Sequence, residues 1–104
     1  LAVRGTGASH YNLGLALLYS ARTSKNPASL RARARRALSE AVRLGRDNRA
    51  IYAHAHWWLA VLDEEDHRFR EAARLWESAA KIYGAESEMG KRSLARARSA
   101  RRRR

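Results

Sequence analysis

The stretch that most constrains this chain is residues 55–82, AHWWLAVLDEEDHRFREAARLWESAAKI, which predicts two helices folded back on each other. Its first half places Ala55, Trp58, Leu59 and Leu62 at helical spacing, and its second half does the same with Phe69, Ala72, Trp76, Ala79 and Tyr83. Between them the four acidic residues Asp63 to Asp66 contain no apolar member, which predicts a turn. Ala55, Ala60, Ala72, Ala73, Ala79 and Ala80 permit close helix approach, and the Trp and Leu side chains fill the gaps beside them. The expected unit is an antiparallel αα-hairpin.

Leu59-Ala60, then Ala72, Trp76 and Ala79 resemble the tetratricopeptide repeat, whose pattern has Leu-Gly in its first helix and Ala-x3-aromatic in its second. His56, Asp63 and Gly84 depart from the Trp, Tyr and Pro of that pattern, although Gly84 can still stop a helix through a left-handed residue. Leu13-Gly14 repeats the first-helix signature, flanked by His10 and Leu17, while Ala34, Leu38 and Ala41 reproduce the second-helix spacing. Eight extra residues separate these two signatures, and Ala41 lies 38 residues before Ala79 where the family has about 34. The resemblance implies an all-α fold, a TPR-like α-solenoid fragment of about five helices. Residues 1–8 would be a flexible lead-in, 9–84 two helical hairpins, and 85–104 a capping helix with an Arg-rich tail. Two units fall below the roughly three that usually stabilise a solenoid, so a partner is expected to complete the core.

Local signals set the expected boundaries. Gly5 and Gly7 argue against structure before Ser9, which would cap a first helix over 10–21. Asn26-Pro27 predicts a second helix starting at Pro27 and stopping at Gly45, with Leu30, Ala34, Ala37, Leu38, Ala41 and Leu44 inward. Asp47 or Asn48 would cap a third helix from Arg49 to Asp63 or Glu64, with Ile51, Tyr52, Ala55, Trp58, Leu59 and Leu62 inward. A fourth would run from His67 to Tyr83, and a fifth from Ser87 to the end, with Met89, Leu94, Ala97 and Ala100 as a thin apolar stripe.

Charge bears most directly on partners. The chain carries 22 basic and 10 acidic residues, a net +12. Residues 1–62 carry +8, residues 63–88 carry −4 and residues 89–104 carry +8 with no acid at all. Two basic zones flanking an acidic one predict a polyanionic neighbour, of which RNA is the commonest. The chain has no cysteine, which excludes disulfides, thiolate nucleophiles and cysteine metal sites. No apolar run approaches the roughly 20 residues that span a bilayer. The first residue is Leu1 and not Met, and residues 1–22, with no acid but only Arg4 and Arg22, fit an organellar presequence loosely. Because that segment also holds a helix with its own packing face, it reads as mature protein.

The residues offer little for catalysis. His54 and His56 are two apart and point to different helix faces, and no His or carboxylate at helical spacing completes a metal site. No nucleophile elbow or phosphate loop is present. No enzyme activity, metal, cofactor or small-molecule substrate is therefore expected. The acidic cluster lacks calcium-loop spacing, and its expected job is to cap the fourth helix and meet arginines, one carboxylate pairing with an arginine of the second helix or of a partner.

Two interaction surfaces are expected. The resemblance implies a concave groove lined by Tyr11, Leu15, Leu18 and Tyr19 of the first unit and His54, Trp57, Val61 and Glu65 of the second. These replace the Lys, Asn and Arg of the family's peptide-carboxylate clamp, so chaperone-tail binding is not expected, and the apolar groove is assigned to a protein partner. Arg31, Arg35, Lys91, Arg92, Arg96, Arg98, Arg101, Arg102, Arg103 and Arg104 are assigned to RNA phosphates, with a salt slope of about −6 for the eight tail cations on single-stranded RNA. No aromatic residue is interleaved with them, so readout of bases is not indicated. The expected setting is a ribosome-like particle, in a mitochondrion by preference. A peripheral subunit of a membrane protein complex resting on an anionic membrane surface, and a soluble peptide-binding adaptor, are the alternatives.

Overall fold

A computed structural model describes residues 6–103, and the chain is all-α. Five helices follow one another, α1 Gly7–Ala21, α2 Pro27–Leu44, α3 Arg49–Glu65, α4 Phe69–Tyr83 and α5 Glu88–Arg102. Each packs chiefly on its sequence neighbour, with a minor contact between α1 and α3. The molecule measures 44 × 35 × 18 Å. Because a helix with its side chains is about 10 Å across, the short dimension holds only two layers, and every helix keeps a solvent face.

Alanine dominates the buried surface for that reason. Ala34, Ala37 and Ala41 of α2, Ala53, Ala55 and Ala60 of α3, Ala72, Ala73, Ala79 and Ala80 of α4, and Ala97 and Ala100 of α5 are all buried. Small side chains bring helix axes together, and a few large ones fill what remains. Trp76 gathers Ala60, Ala72, Ala73, Ala97 and Ala100 around it, with Trp57, Val61 and Leu75 at the edge. Leu38, Leu59 and Leu62 form a second cluster under Tyr11, Leu18, Val42 and Trp58.

The caps explain most boundaries. Asn48 accepts the Ile51 N–H at the start of α3, and Ser87 accepts the Gly90 N–H at the start of α5. Pro27 opens α2, although Asn26 makes no side-chain cap bond, and Gly45 follows its last residue. Gly84 ends α4 with φ +98°, a conformation that favours glycine.

The structure corrects the sequence reading in four places. Helix α1 starts at Gly7, because Thr6 and Ser9 form a reciprocal capping box. Gly7 itself lies against Gly45, where an added Cβ would come within 2.7 Å of the Gly45 Cα, so this glycine serves helix contact. The acids do not form the turn between α3 and α4. Asp63 to Glu65 are the last residues of α3, Asp63 is buried, and the reversal falls on Asp66 to Arg68, with His67 at φ +61°. Leu44, expected inward, is exposed. Finally, α5 runs through the arginines to Arg102 much as expected, but it is a full packing element whose buried stripe is Gly90, Ser93, Ala97 and Ala100, with Met89 and Leu94 only partly buried.

Candidate interaction surfaces

Of the eight residues assigned to the groove, Leu15, Leu18 and Tyr19 of α1 and Val61 and Glu65 of α3 share one cavity of about 530 Å³. Trp58, Leu62, Pro27 and Arg31 complete much of its wall. Trp58 escaped the groove assignment because its helical spacing with Leu59 and Leu62 read as core. It does both, packing on the Leu38–Leu59–Leu62 cluster while its other side lines the cavity. Pro27 is the first residue of α2, and its role as a helix-start signal gave no hint of a groove position. Tyr19 is 73% exposed, so this end of the surface is open to a partner.

Tyr11, His54 and Trp57 lie outside that cavity and belong to an aromatic cluster. Tyr11 and His54 have ring centroids 6.1 Å apart, and the His54 ring nitrogen meets the Tyr83 hydroxyl at 2.5 Å. Trp57 stands edge-on to Trp76 at 4.6 Å and to Tyr83 at 6.5 Å. Burial, with the neighbouring Tyr11 adding to it, pushes the Tyr83 phenol up to about 12. Burial also raises the Tyr11 phenol, against the opposing effect of the Trp58 indole. Aromatic area here goes into joining α1, α3 and α4, and the groove assigned from the resemblance is thereby divided.

Arg31 and Arg35 are corrected as well. Arg31 donates to Glu65 at 2.6 Å and to Asp66 at 2.9 Å, and Arg35 donates to Asp63 at 2.7 Å and to Asp66 at 2.9 Å. Two guanidiniums therefore meet three carboxylates, so the charge of both arginines is already matched within the chain. At Asp66, burial acts to raise the carboxyl, but the hydrogen bonds and charges of Arg31 and Arg35 prevail and hold it below the usual range. Of the jobs expected of the acidic cluster, pairing with the second helix is what these contacts show, whereas α4 starts after Arg68 without a side-chain cap bond.

The basic segment sorts by where each cation points. Arg101 donates twice to Glu77, at 2.9 and 2.7 Å, and holds that carboxyl below its usual range. Arg92 lies 3.4 Å from Glu88. Arg96 lies over the Trp76 ring at 4.9 Å and near Trp57 at 5.9 Å, and Arg103 lies over Phe69 at 4.4 Å. Lys91, Arg98 and Arg102 stand at helical spacing on the face opposite the buried stripe, exposed and without an ion pair among the described residues. Arg104 falls outside the described residues. Sequence alone missed Arg68 and Arg70, which line a second cavity of about 740 Å³ with Arg101 and Arg103. Their only sequence signal is a net charge that their acidic surroundings masked.

Among the described residues no group of three or more His, Asp or Glu side chains is placed to hold a metal ion, and no helix is long and apolar enough to cross a membrane. Comparison with family models, with curated proteins and with solved structures finds no match for this chain.

Proposed function

We propose that this chain is a non-enzymatic, tetratricopeptide-like architectural module of a ribonucleoprotein. It would grip RNA phosphates with the outer face of α5 and hold a protein neighbour in the groove between α1 and α3. The observation that carries this reading is the row Lys91, Arg98 and Arg102, which no carboxylate of the described residues neutralises although acids elsewhere pair with Arg31, Arg35, Arg43 and Arg101. A rigid helix carrying unpaired cations contacts a phosphate backbone without further ordering cost, and it carries no base specificity.

The membrane alternative is less well supported. A helix that lies in a bilayer interface buries an apolar face in lipid, whereas the apolar stripe of α5 is already covered by α4. The adaptor alternative keeps the apolar cavity but leaves the basic face without a role. Within the same proposal, the Arg excess favours a ribosome-like particle and a mitochondrial setting. The test is nuclease treatment of the native assembly at moderate salt. Release of this chain with RNA fragments is the expected result, and retention on a protein or membrane core would overturn the reading.

A further inference from the structure

The second cavity assembles arginines from parts of the chain that are far apart in sequence. Arg68 and Arg70 come from the start of α4 and Arg103 from the end of α5, and all three are without an ion pair among the described residues. Arg101 also reaches this cavity but is held by Glu77, and Glu71 is the single carboxylate of the wall among the described residues. Like charges gathered in a concavity repel one another and focus their field into it, which makes the space favourable for an anion.

Two features fix the geometry. The Arg68 N–H donates to the Asp63 carbonyl at 2.7 Å, which ties the turn to the end of α3. The Arg103 guanidinium carbon lies over the buried Phe69 ring at 4.4 Å, and its N–H donors, without a partner among the described residues, are left for an oxyanion. Arg102 of the outer row immediately precedes Arg103, so an anionic strand following Lys91, Arg98 and Arg102 arrives at the mouth of this cavity.

We infer that the cavity lined by Arg68, Arg70 and Arg103 seats a phosphate group of the RNA strand that runs along α5. This rests on the RNA reading and extends the contact from one helix to the α4–α5 junction. It also turns a smooth electrostatic rail into a site with an end.

The test compares three charge-removing variants by fluorescence anisotropy with a labelled oligouridylate across a salt series. They are the cavity variant Arg68→Gln/Arg70→Gln/Arg103→Gln, the face variant Lys91→Gln/Arg98→Gln/Arg102→Gln, and a control, Arg33→Gln/Arg36→Gln/Arg74→Gln. All nine positions are exposed. The cavity variant is expected to flatten the log–log salt slope by about 0.7, as loss of one seated phosphate on a single strand requires, while the control leaves the slope in place. Equal effects of cavity and control variants would reduce the cavity to net charge and overturn the inference. A face variant that loses binding beside a cavity variant that does not would overturn the cavity and leave the RNA reading standing. In the second arm, inorganic pyrophosphate is titrated into the 15N-labelled chain, with shifts expected at residues 68–71 and 103. Shifts there without any RNA binding would keep the phosphate seat and overturn the RNA reading, and their absence would overturn the seat.

Discussion

Replacing Gly90 by alanine tests how α5 is seated. Considered as a helix alone, α5 should gain, because alanine is favoured over glycine by about 0.8–1 kcal/mol in a helix interior. The packing predicts the opposite sign. A Cβ on Gly90 would collide with the Gly84 carbonyl oxygen and lie 2.8 Å from its carbon. That carbonyl cannot simply swing away. It accepts from the Ser87 N–H at 3.0 Å and the Ser87 hydroxyl at 2.7 Å, and Gly84 sits at φ +98° to present it. Relief therefore requires moving α5 off α4 or losing the Ser87 cap. Overpacking of this kind costs about 1–3 kcal/mol or more, and a backbone obstacle belongs at the top of that range. Against the propensity gain, the expected net loss is about 2 kcal/mol. For a chain of this size that corresponds to a fall in Tm of roughly 8–16 °C. Thermal unfolding followed by circular dichroism at constant protein concentration reads it directly. A Tm that rises would refute the packing argument and show that α5 is held loosely enough to yield.

Other outcomes follow from the same contacts. Arg35→Met strands the buried Asp63 carboxylate, and because Arg35 is itself partly exposed the loss should be about 1.5–3 kcal/mol, less than for a fully buried pair. Denaturant unfolding of the double variant Arg35→Met/Asp63→Leu should recover most of it. Trp57→Ala should cost about 2–3 kcal/mol in the same assay, since Trp57 packs on Trp76 and Tyr83 and is half-buried. Unchanged stability would return it to the groove. The Tyr83 phenol is raised in the folded chain, so the native state holds its proton longer than the unfolded state does. Stability should then fall as pH climbs from 10 to about 12, as a pH series of melts would show. The carboxyls of Asp66 and Glu77 are lowered in the folded state, so their contribution is present at neutral pH and disappears as pH falls through their folded values.

Much of the fold was readable because its signals are local. Pro27, Gly45, Asn48 and Gly84 mark helix ends through their own backbone preferences, and the alanine and tryptophan spacing of α3 and α4 reports a buried stripe directly. What escaped depends on residues distant in sequence. Gly7 looks like a flexible residue until Gly45 is brought against it, and Asp63 looks like part of an exposed acidic turn until Arg35, 28 residues earlier, folds over it. The candidate sites divide in the same way. Side-chain type indicated that the region from Leu15 to Tyr19 and the basic segment after Met89 matter. Which arginines stay unpaired was decided by tertiary contacts, and these pair Arg31, Arg35 and Arg101 with carboxylates while placing Arg68 and Arg70 in a cavity wall.

The same contacts change how the RNA reading has to be tested. Removing residues 96–104 would take away Ala97 and Ala100, which pack against Trp76, so a truncation confounds folding with binding. Charge substitutions on the outer face avoid this. The most direct measurement is the salt dependence of oligouridylate binding by the unaltered chain and by Lys91→Gln/Arg98→Gln/Arg102→Gln, with the melting curve of each recorded alongside. The account predicts that the variant melts like the parent while its log–log salt slope is flatter by about 2. Equal slopes and affinities, with folding intact, would contradict the claim that this face of α5 is what the chain presents to RNA.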